Sequence, residues 1–326
     1  MHGDISADAS GAVPALSARG LSHRFGRELL AVDGIDLSVT AGEVFGLVGA
    51  DGAGKSTLIR MLATVLSPTA GDAEVFGYSV RRDAREVKAR IGYMSQRFSL
   101  YGDLTVSENL AFFARLRGVP AREIAARSTR LLEFAGLTEF SGRQAGLLSG
   151  GMKQKLALAV TLIHEPDLLY LDEPTTGVDP VSRREFWRII AGLHQRGITV
   201  FVATPYMDEA ERCSTVAFMD SGRILFSDSP AGLKARVPGS VYEVHTTDQR
   251  AAVRAVGGRD WVLASTVYGD VARVIVANGG PSPREVRDEI SSAGVVVSEV
   301  VPGRMDMEAT FAFLAEETRR SREVVS

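Results

Sequence analysis

The sequence predicts an α/β fold with a largely parallel sheet, followed by a small α+β domain, and three observations support this. Short apolar runs alternate with helical patterns across residues 17–238, which is the strand-helix-strand order typical of parallel sheets. An almost wholly helical stretch, about residues 99–165, interrupts that order as an insertion. In residues 239–326, strand patterns return with helices between them, which predicts the small second domain.

Composition places the chain among ordinary globular proteins. Its 326 residues are 45% hydrophobic and 24% charged, and a formal net charge of −3 gives no reason to expect nucleic-acid binding. Cys213 is the single cysteine and fits a reducing compartment. No apolar run approaches the roughly 18–20 residues needed to cross a bilayer, so any membrane role is expected to be peripheral. Residues 1–16 are small and polar, which predicts a flexible tail without a signal peptide.

The elements of the first domain follow from its apolar patterns and turn residues. The runs EVFGLVG, DLLYLDEP and ITVFVAT predict buried strands, and KSTLIRMLATVL and SRREFWRIIAGLHQ predict helices. Thr105 and Glu108 have the spacing of a capping box, so a helix is expected to start there. The run VFVAT predicts a strand that ends near Thr204. We expect the next helix to begin at Pro205, with Thr204 as its N-cap.

The second domain begins after the segment AGLKARVPGS, whose turn residues indicate a boundary. Strands are predicted in SVYEVHTT, WVLAS, VARVIVA and VVVSEVV. Pro283 and Glu285 follow Ser282 with the spacing of a helix start. In the last predicted helix, Met307, Phe311 and Leu314 share one face.

The segment GADGAGKST carries the strongest chemical signal. It matches the phosphate-binding loop pattern, a glycine and four residues before Gly-Lys-Ser/Thr, between a predicted strand and a predicted helix. Glycines let main-chain N–H groups surround a phosphate, a lysine reaches the β- and γ-phosphates, and a serine hydroxyl ligates Mg²⁺. A glycine-rich tight turn is the alternative interpretation. The candidate phosphate-binding residues are Gly49, Ala50, Asp51, Gly52, Ala53, Gly54, Lys55, Ser56 and Thr57.

Two adjacent acids end the predicted strand LLYLDEP. Burying them would be costly unless they served a cation or a proton transfer. Asp172 suits Mg²⁺, and Glu173 would lie next to the γ-phosphate, where a carboxylate can orient or deprotonate the attacking water. The motif alone is equally compatible with a strand that ends in a solvated turn. The phosphate loop favours the catalytic interpretation.

A second helix start suited to phosphate occurs in LSGGMKQKLALA, where Ser149, Gly150 and Gly151 precede an amphipathic run. This stretch resembles the signature of the ATP-binding-cassette (ABC) ATPases, P-loop NTPases that combine a mixed sheet with a helical subdomain. The resemblance covers most of residues 17–237. Its parts follow the family's order, which is Phe25, Gly49 to Thr57, Gln96 in YMSQRFSLY, the signature, LLYLDEP and Asp179 in TTGVDP.

The resemblance implies a role for each matching residue. Phe25 would stack on adenine, Gln96 would serve Mg²⁺ and catalysis, and Asp179 would join the nucleotide-binding set. Ser149, Gly150 and Gly151 would close over ATP held by a facing subunit. Taken singly, Phe25 is also compatible with a core aromatic, and Gln96 with a solvated loop residue.

The resemblance also implies cofactors, partners and a location. ATP and Mg²⁺ would bind within a homo- or heterodimer of ABC ATPase domains. YMSQRFSLYGDLTVSENL and ATPYMDEAERC resemble bacterial type-2 exporters, which move drugs, polyketides or polysaccharides. The expected partners are separate membrane permease subunits, with no nucleic acid. The expected location is cytoplasmic, peripherally attached to the cytoplasmic face of the inner membrane.

Two residues depart from the family's pattern. Asp51 stands where the family usually has asparagine and adds a negative charge near phosphate. Pro205 stands where the family usually has a histidine that contacts the γ-phosphate, and a slow ATPase is therefore one expectation. The alternative is a catalytically weak regulatory subunit of a heteromeric complex. None of the histidines is an obvious replacement: His2, His23, His164, His194 and His245.

Overall fold

The computed structural model describes residues 14–97 and 100–325, with side chains described as far as residue 319. His2, most of the expected 1–16 tail and the expected start of the helical stretch at residue 99 lie outside the described residues. The chain divides into two compact units. The first contains the described residues up to Pro205 together with Ser214–Phe226. The second contains Tyr206–Cys213 together with the described residues from Ser227 onward.

An antiparallel sheet opens the described part of the first unit. Its order is β2-β1-β4-β5. Its strands are β1 (Leu16–Phe25), β2 (Leu29–Val39), β4 (Ala70–Val75) and β5 (Tyr78–Ser79). Sequence reasoning assigned no strands here, because buried and exposed residues are mixed along β1 and β2 and no continuous apolar run results.

The larger sheet of the first unit has the order β10-β9-β3-β8-β7-β6 among the described residues. Its strands are β3 (Val44–Val48), β6 (Ile91–Met94), β7 (Leu168–Asp172), β8 (Thr199–Thr204), β9 (Thr215–Asp220) and β10 (Arg223–Asp228). β3 pairs in parallel with β8 and β9, and β7 pairs in parallel with β6 and β8. Every residue of β3, β7 and β8 is buried, as expected for parallel strands covered on both faces. The largely parallel sheet is therefore confirmed.

Helices of the first unit cover this sheet and form the insertion. They are α1 (Lys55–Leu62), α2 (Ala84–Arg90), α3 (Val106–Leu116), α4 (Ala121–Ala135), α5 (Gly150–Leu162) and α6 (Pro180–Gln195). The insertion has its own core, in which Leu110, Leu132 and Leu156 are buried. The predicted capping box is confirmed, since Thr105 accepts from the N–H of Glu108 and Glu108 accepts from the N–H of Thr105.

The helix start expected at Pro205 is wrong, although the strand end at Thr204 is confirmed. Helix α7 spans Met207–Ala210, and Tyr206 at its N-cap has extended main-chain angles of φ −90° and ψ 117°. A residue that precedes proline is disfavoured in helical geometry, and Thr204 stays extended and fully buried in β8. The proline therefore ends the strand, and the helix begins two residues later.

The second unit contains an antiparallel sheet of order β12-β13-β11-β14 among the described residues. Its remaining elements are α8 (Pro230–Ala235), β11 (Gly239–Thr246), α9 (Gln249–Val256), β12 (Val262–Tyr268), β13 (Val271–Ala277), α10 (Pro283–Ser292), β14 (Val297–Pro302) and α11 (Met307–Val325). The capping box at Ser282 is confirmed. Both α7 and α8 contact α11. Residues 206–213 and 227–238 therefore group with this unit, although the sequence placed them before the boundary.

Helices long and apolar enough to span a bilayer are not found within residues 14–97 and 100–325.

Candidate functional site

The predicted phosphate loop connects β3 to α1. Gly54 occupies the N-cap of α1 with φ 108°, a left-handed conformation that favours glycine. A Cβ atom there would overlap the main-chain oxygen of Ala31, so the fold itself requires glycine at this position. Within the described chain, no side chain caps α1, and its first turn contains no acid. The positive end of the helix is therefore available to an anion.

A cavity of about 550 Å³ lies in front of this helix start. Phe25 lines it with a 43% exposed side chain, and its ring meets the ring of His23 edge to face at 4.5 Å between centroids. Nine of the site residues predicted from the sequence motifs line this cavity: Phe25, Asp51, Gly52, Gly54, Lys55, Ser56, Thr57, Gln96 and Glu173. Residues separated by up to about 150 positions thus share one cleft.

Further lining residues were missed by sequence reasoning. They are Leu29, Leu30, Ala31, Ser221 and Gly222. They come from β2 and from the turn between β9 and β10, which lie far from the phosphate loop in the sequence. No motif distinguishes them, so only the packing of these strands beside the loop could identify them.

The centre of the cavity contains a buried network of charged and polar groups. Lys55 is 3% exposed, and its Nζ donates to the main-chain oxygens of Gly49 at 2.7 Å and Ala50 at 3.0 Å. The same Nζ lies 3.6 Å from Oε1 of Glu173. Nε2 of Gln96 donates to Oε2 of Glu173 at 2.9 Å. Each carboxylate oxygen of Glu173 therefore faces a nitrogen donor, Lys55 at Oε1 and Gln96 at Oε2, and these contacts hold the carboxylate in place.

Glu173 has an unusual main-chain conformation. Its φ of 50° is in the left-handed region, which costs a residue other than glycine about 1–3 kcal/mol. Its N–H donates to the main-chain oxygen of Ala203 on β8 at 2.9 Å. The surrounding sheet thus stabilises a strained turn that directs this carboxylate into the cleft. Strain of this kind is typical of functional sites.

Asp172 forms the second acidic element of the site. Its side chain is fully buried, and Oδ1 accepts from the hydroxyl of Ser56 at 2.8 Å. Its Oδ2 is buried with no partner among the described residues. Burial raises the pKa of Asp172, the Ser56 hydroxyl opposes that shift, and the neighbouring Glu173 adds to it. A cation beside Oδ2 would satisfy the unpartnered oxygen and favour the ionised form.

This donor set fits magnesium. Hydroxyl and carboxylate oxygens are ligands that Mg²⁺ prefers, and nucleotide sites hold it with one or two carboxylates plus phosphate oxygens. Within the described part of the chain, no group of three or more His, Cys, Asp or Glu side chains suited to a metal occurs. Gln96, the other predicted ligand, is bonded to Glu173 and not to Asp172 in this structure.

The signature residues lie elsewhere on the first unit. Ser149 caps α5 by accepting from the N–H of Met152 at 3.3 Å. Gly150 is exposed, and a Cβ atom on it would meet nothing within 4 Å, whereas one on Gly151 would overlap the hydroxyl of Ser182. None of the three lines the nucleotide-sized cavity. The structure therefore does not bring them together with the phosphate loop inside this chain.

Asp179 also lies outside the cavity lining. Its Oδ1 accepts from the N–H groups of Val181 and Ser182 at 3.0 Å each, so it is the N-cap of α6. The Ser182 hydroxyl and N–H lower the pKa of Asp179. Within this chain its visible role is to start a helix.

The position of Pro205 follows from the strand register. Val48 pairs with Thr204, and Asp172 pairs with Ala203. Gly49, Glu173 and Pro205 therefore each follow the C-terminal end of one of three adjacent parallel strands. Pro205 is half-buried and does not line the cavity. Proline offers no polar side-chain group at this position.

The described histidines do not substitute for it. His23, His164 and His194 bond main-chain oxygens of Ser67, Ile91 and Gly42 respectively, and His245 lies in β11 of the second unit. Burial lowers the pKa of His164. Among residues 14–97 and 100–325, no histidine lines the cavity.

Comparison with known proteins gives a consistent result. The family model described as ABC transporter matches residues 32–176. The chain is 40% identical over 291 residues to the probable multidrug ABC transporter ATP-binding protein YbhF of Escherichia coli (strain K12), covering 88% of this chain and 50% of that protein. The chain therefore spans about half the length of this relative.

A second relative matches over most of both chains. The daunorubicin/doxorubicin resistance ATP-binding protein DrrA of Streptomyces peucetius is 35% identical over 288 residues, which is 87% of each chain. Among solved structures, cbiO1 from Clostridium perfringens, part of the ABC transporter complex cbiONQ, superposes with a TM-score of 0.63 at 26% identity. That match covers 76% of this chain and 96% of cbiO1.

Proposed function

The chain belongs to the ABC transporter family and carries the ATP-binding ATPase domain of that family, and from this premise we propose that it drives export through separate membrane subunits. One observation carries the proposal. A single cleft contains an exposed aromatic ring, a glycine-rich helix start, a buried lysine and a strained glutamate. These are the groups that binding and cleaving a nucleoside triphosphate require.

We assign binding of ATP to the phosphate loop and its neighbours. Phe25 offers its exposed face to adenine, and the loop from Gly49 to Thr57 surrounds the phosphates with main-chain N–H groups. The buried Lys55 exchanges its two main-chain oxygen partners for β- and γ-phosphate oxygens. Ser56, Asp172 and Gln96 are the residues that would hold Mg²⁺, which supplies positive charge to the phosphate oxygens when bound.

We assign hydrolysis to Glu173. Its carboxylate accepts a proton from the attacking water or holds that water in line with the γ-phosphate. Gln96 and Lys55 position the carboxylate through its two oxygens, and the strained turn limits its movement. Asp51 places an additional negative charge in the cavity lining, which weakens phosphate binding slightly.

We further propose that the active form is a dimer of ABC ATPase domains. Ser149 and Gly150 lie at an exposed helix start outside this chain's own cleft, and Asp179 caps another helix outside it. These residues would face nucleotide bound by a second domain, which is the same chain or a related one. An anion there would meet the N-terminal end of α5.

The proposed partners are membrane permease subunits, and the proposed location is the cytoplasmic face of the inner membrane. Two relatives, a probable multidrug ABC transporter ATP-binding protein and a daunorubicin/doxorubicin resistance ATP-binding protein, support export of organic compounds. The description of cbiO1 as part of a transporter complex supports separate partner subunits. Nucleic acid is not among the proposed partners.

The experiment that tests this proposal is Glu173→Gln. The variant is expected to bind ATP·Mg²⁺ but to hydrolyse it at least about a hundredfold more slowly, which is the usual effect of losing a general base. ATP that is not hydrolysed is expected to prolong the dimer, measured by multi-angle light scattering with ATP present. Glu133→Gln, at an exposed position on α4, is the matched control and is expected to behave like the parent.

Two results together would contradict the proposal. If Glu173→Gln hydrolyses ATP at the parent rate, Glu173 is not the base. If the same variant also stays monomeric with ATP·Mg²⁺, the dimer model is wrong.

A second candidate function is favoured by one observation. Pro205 leaves the sheet edge beside Gly49 and Glu173 without the donor that a histidine would provide. A site of this kind binds ATP and turns it over slowly, which suits a regulatory subunit paired with a more active ATPase. Turnover by the purified chain distinguishes the two functions.

A further inference from the structure

The first unit contains a second cavity, between α4, the C-terminal end of α5 and the C-terminal end of α6. We propose that this cavity is a binding site for an amphipathic monoanion, of which a medium-chain carboxylate is the simplest example. It shares no lining residue with the nucleotide cavity. The proposal therefore stands independently of the ATPase assignment.

Its size and floor fit an apolar chain. The cavity has a volume of about 300 Å³, which corresponds to roughly ten water-sized groups at about 30 Å³ each. Leu131, Leu162 and Leu193 line it, and the last two are almost fully buried. Burial of a chain of eight to ten carbons against such a surface is favourable, because it removes apolar surface from water.

Two of its arginines have carboxylate partners within the protein. Arg127 bonds Glu123 at 2.7 Å, Glu165 at 3.1 Å and the main-chain oxygen of Ile163 at 3.2 Å. Arg130 bonds the other carboxylate oxygen of Glu165 at 3.0 Å. The main chain of Glu165 has a φ of 56°, which is strained for a residue other than glycine. Its carboxylate pairs with the guanidinium groups of both Arg127 and Arg130 at the cavity.

Arg196 differs from these two. Its guanidinium carbon lies 4.5 Å from the centroid of the Phe134 ring, and it makes no side-chain hydrogen bond or ion pair with any described residue. Arg196 is thus the one cavity-lining arginine without a carboxylate partner among the described residues, so its positive charge is unpaired. A carboxylate bonded to Arg196 would balance it, with the apolar chain directed toward the leucines.

The charge balance selects the class of ligand. A neutral alcohol would leave Arg196 without a counter-charge, and a cationic amphiphile would be repelled by it. One carboxylate group is enough to pair with the one guanidinium of Arg196. The chemistry therefore favours a single negative charge on an apolar body.

The test is equilibrium dialysis of radiolabelled decanoate against the full chain. We expect saturable binding of one decanoate per chain with a Kd below about 1 mM, and no displacement by saturating ATP·Mg²⁺. Arg196→Ala and Arg196→Gln are each expected to weaken binding about tenfold or more, because a hydrogen bond to a charged group is lost. Arg188→Ala, which changes an exposed arginine of α6 outside the cavity, is expected to bind within twofold of the parent.

Two non-anionic probes of equal chain length test the sign of the charge. Decanol and decyltrimethylammonium are both expected to compete at least tenfold less well than unlabelled decanoate. The shift in melting temperature caused by ATP·Mg²⁺ verifies that each Arg196 variant is folded. Non-saturable binding, equal competition by the cation, or folded Arg196 variants that bind as the parent does would each overturn the proposal.

Discussion

Two glycine-bearing helix starts in the first unit differ in what surrounds them. At α1, Gly54 packs against Ala31 and the loop closes around the buried Lys55. At α5, Gly150 is exposed and its missing side chain leaves open space. The first glycine is required by the fold of this chain. The second is not required by contacts within this chain.

The same contrast applies to the charged groups nearby. Lys55 and Glu173 line the α1 cavity, and Asp172 bonds the lining residue Ser56; each of the three is less than a tenth exposed. The start of α5 presents the Ser149 hydroxyl and main-chain N–H groups at the surface. If two copies face each other and each completes the other's nucleotide site, each copy needs both features. The α1 cavity would hold the nucleotide, and the start of α5 would contact the nucleotide held by the other copy. Substitutions at the two helix starts test this comparison.

The largest effect is expected from Lys55→Ala. It removes the fixed positive charge that would face the β- and γ-phosphates, so tight ATP binding should be abolished. ATP·Mg²⁺ should raise the melting temperature of the parent and of Lys88→Ala, an exposed control on α2, but not of Lys55→Ala. Equal shifts in all three proteins would show that the α1 cavity is not the nucleotide site.

A smaller effect is expected from Gly150→Ala. The added methyl group meets nothing in the chain itself, so the melting temperature should stay unchanged. If the α5 start approaches phosphate bound by a second subunit, turnover should fall by about a hundredfold, as when one charge-stabilising contact is lost. Binding of ATP to the isolated chain should remain.

Gly142→Ala is the matched control, because its Cβ would also meet nothing and its main chain is not left-handed. It should hydrolyse ATP like the parent. If Gly150→Ala also retains parent turnover, the comparison between a complete and an incomplete helix start has no functional meaning.

The smallest effect is a gain, expected from Pro205→His. The imidazole would add a contact where charge develops in the transition state, so turnover of the isolated chain should rise at least about tenfold while ATP affinity changes only a fewfold. The fold should tolerate the change, since Pro205 lies in a bend between β8 and α7. Parent turnover of several per second, unchanged by histidine, would mean that another group already fills this role.

The sequence by itself determined the parts whose chemistry depends on near neighbours. The phosphate loop, the acids that end β7, and the capping boxes at Thr105 and Ser282 are local patterns, because main-chain geometry and hydrogen bonding over a few residues decide them. The parallel sheet was likewise predictable from continuous apolar runs, since both faces of such strands are buried.

Tertiary structure decided what depends on residues distant in the chain. The pairing of β7 with β8 places the Glu173 turn against Ala203, and Gln96 reaches the same carboxylate from another segment. The helix expected at Pro205 begins at Met207, because Thr204 is held extended by its pairing with Val48. The conformations at these positions are stabilised by contacts between elements that are distant in the sequence. A local sequence pattern does not show which of those elements will pack together.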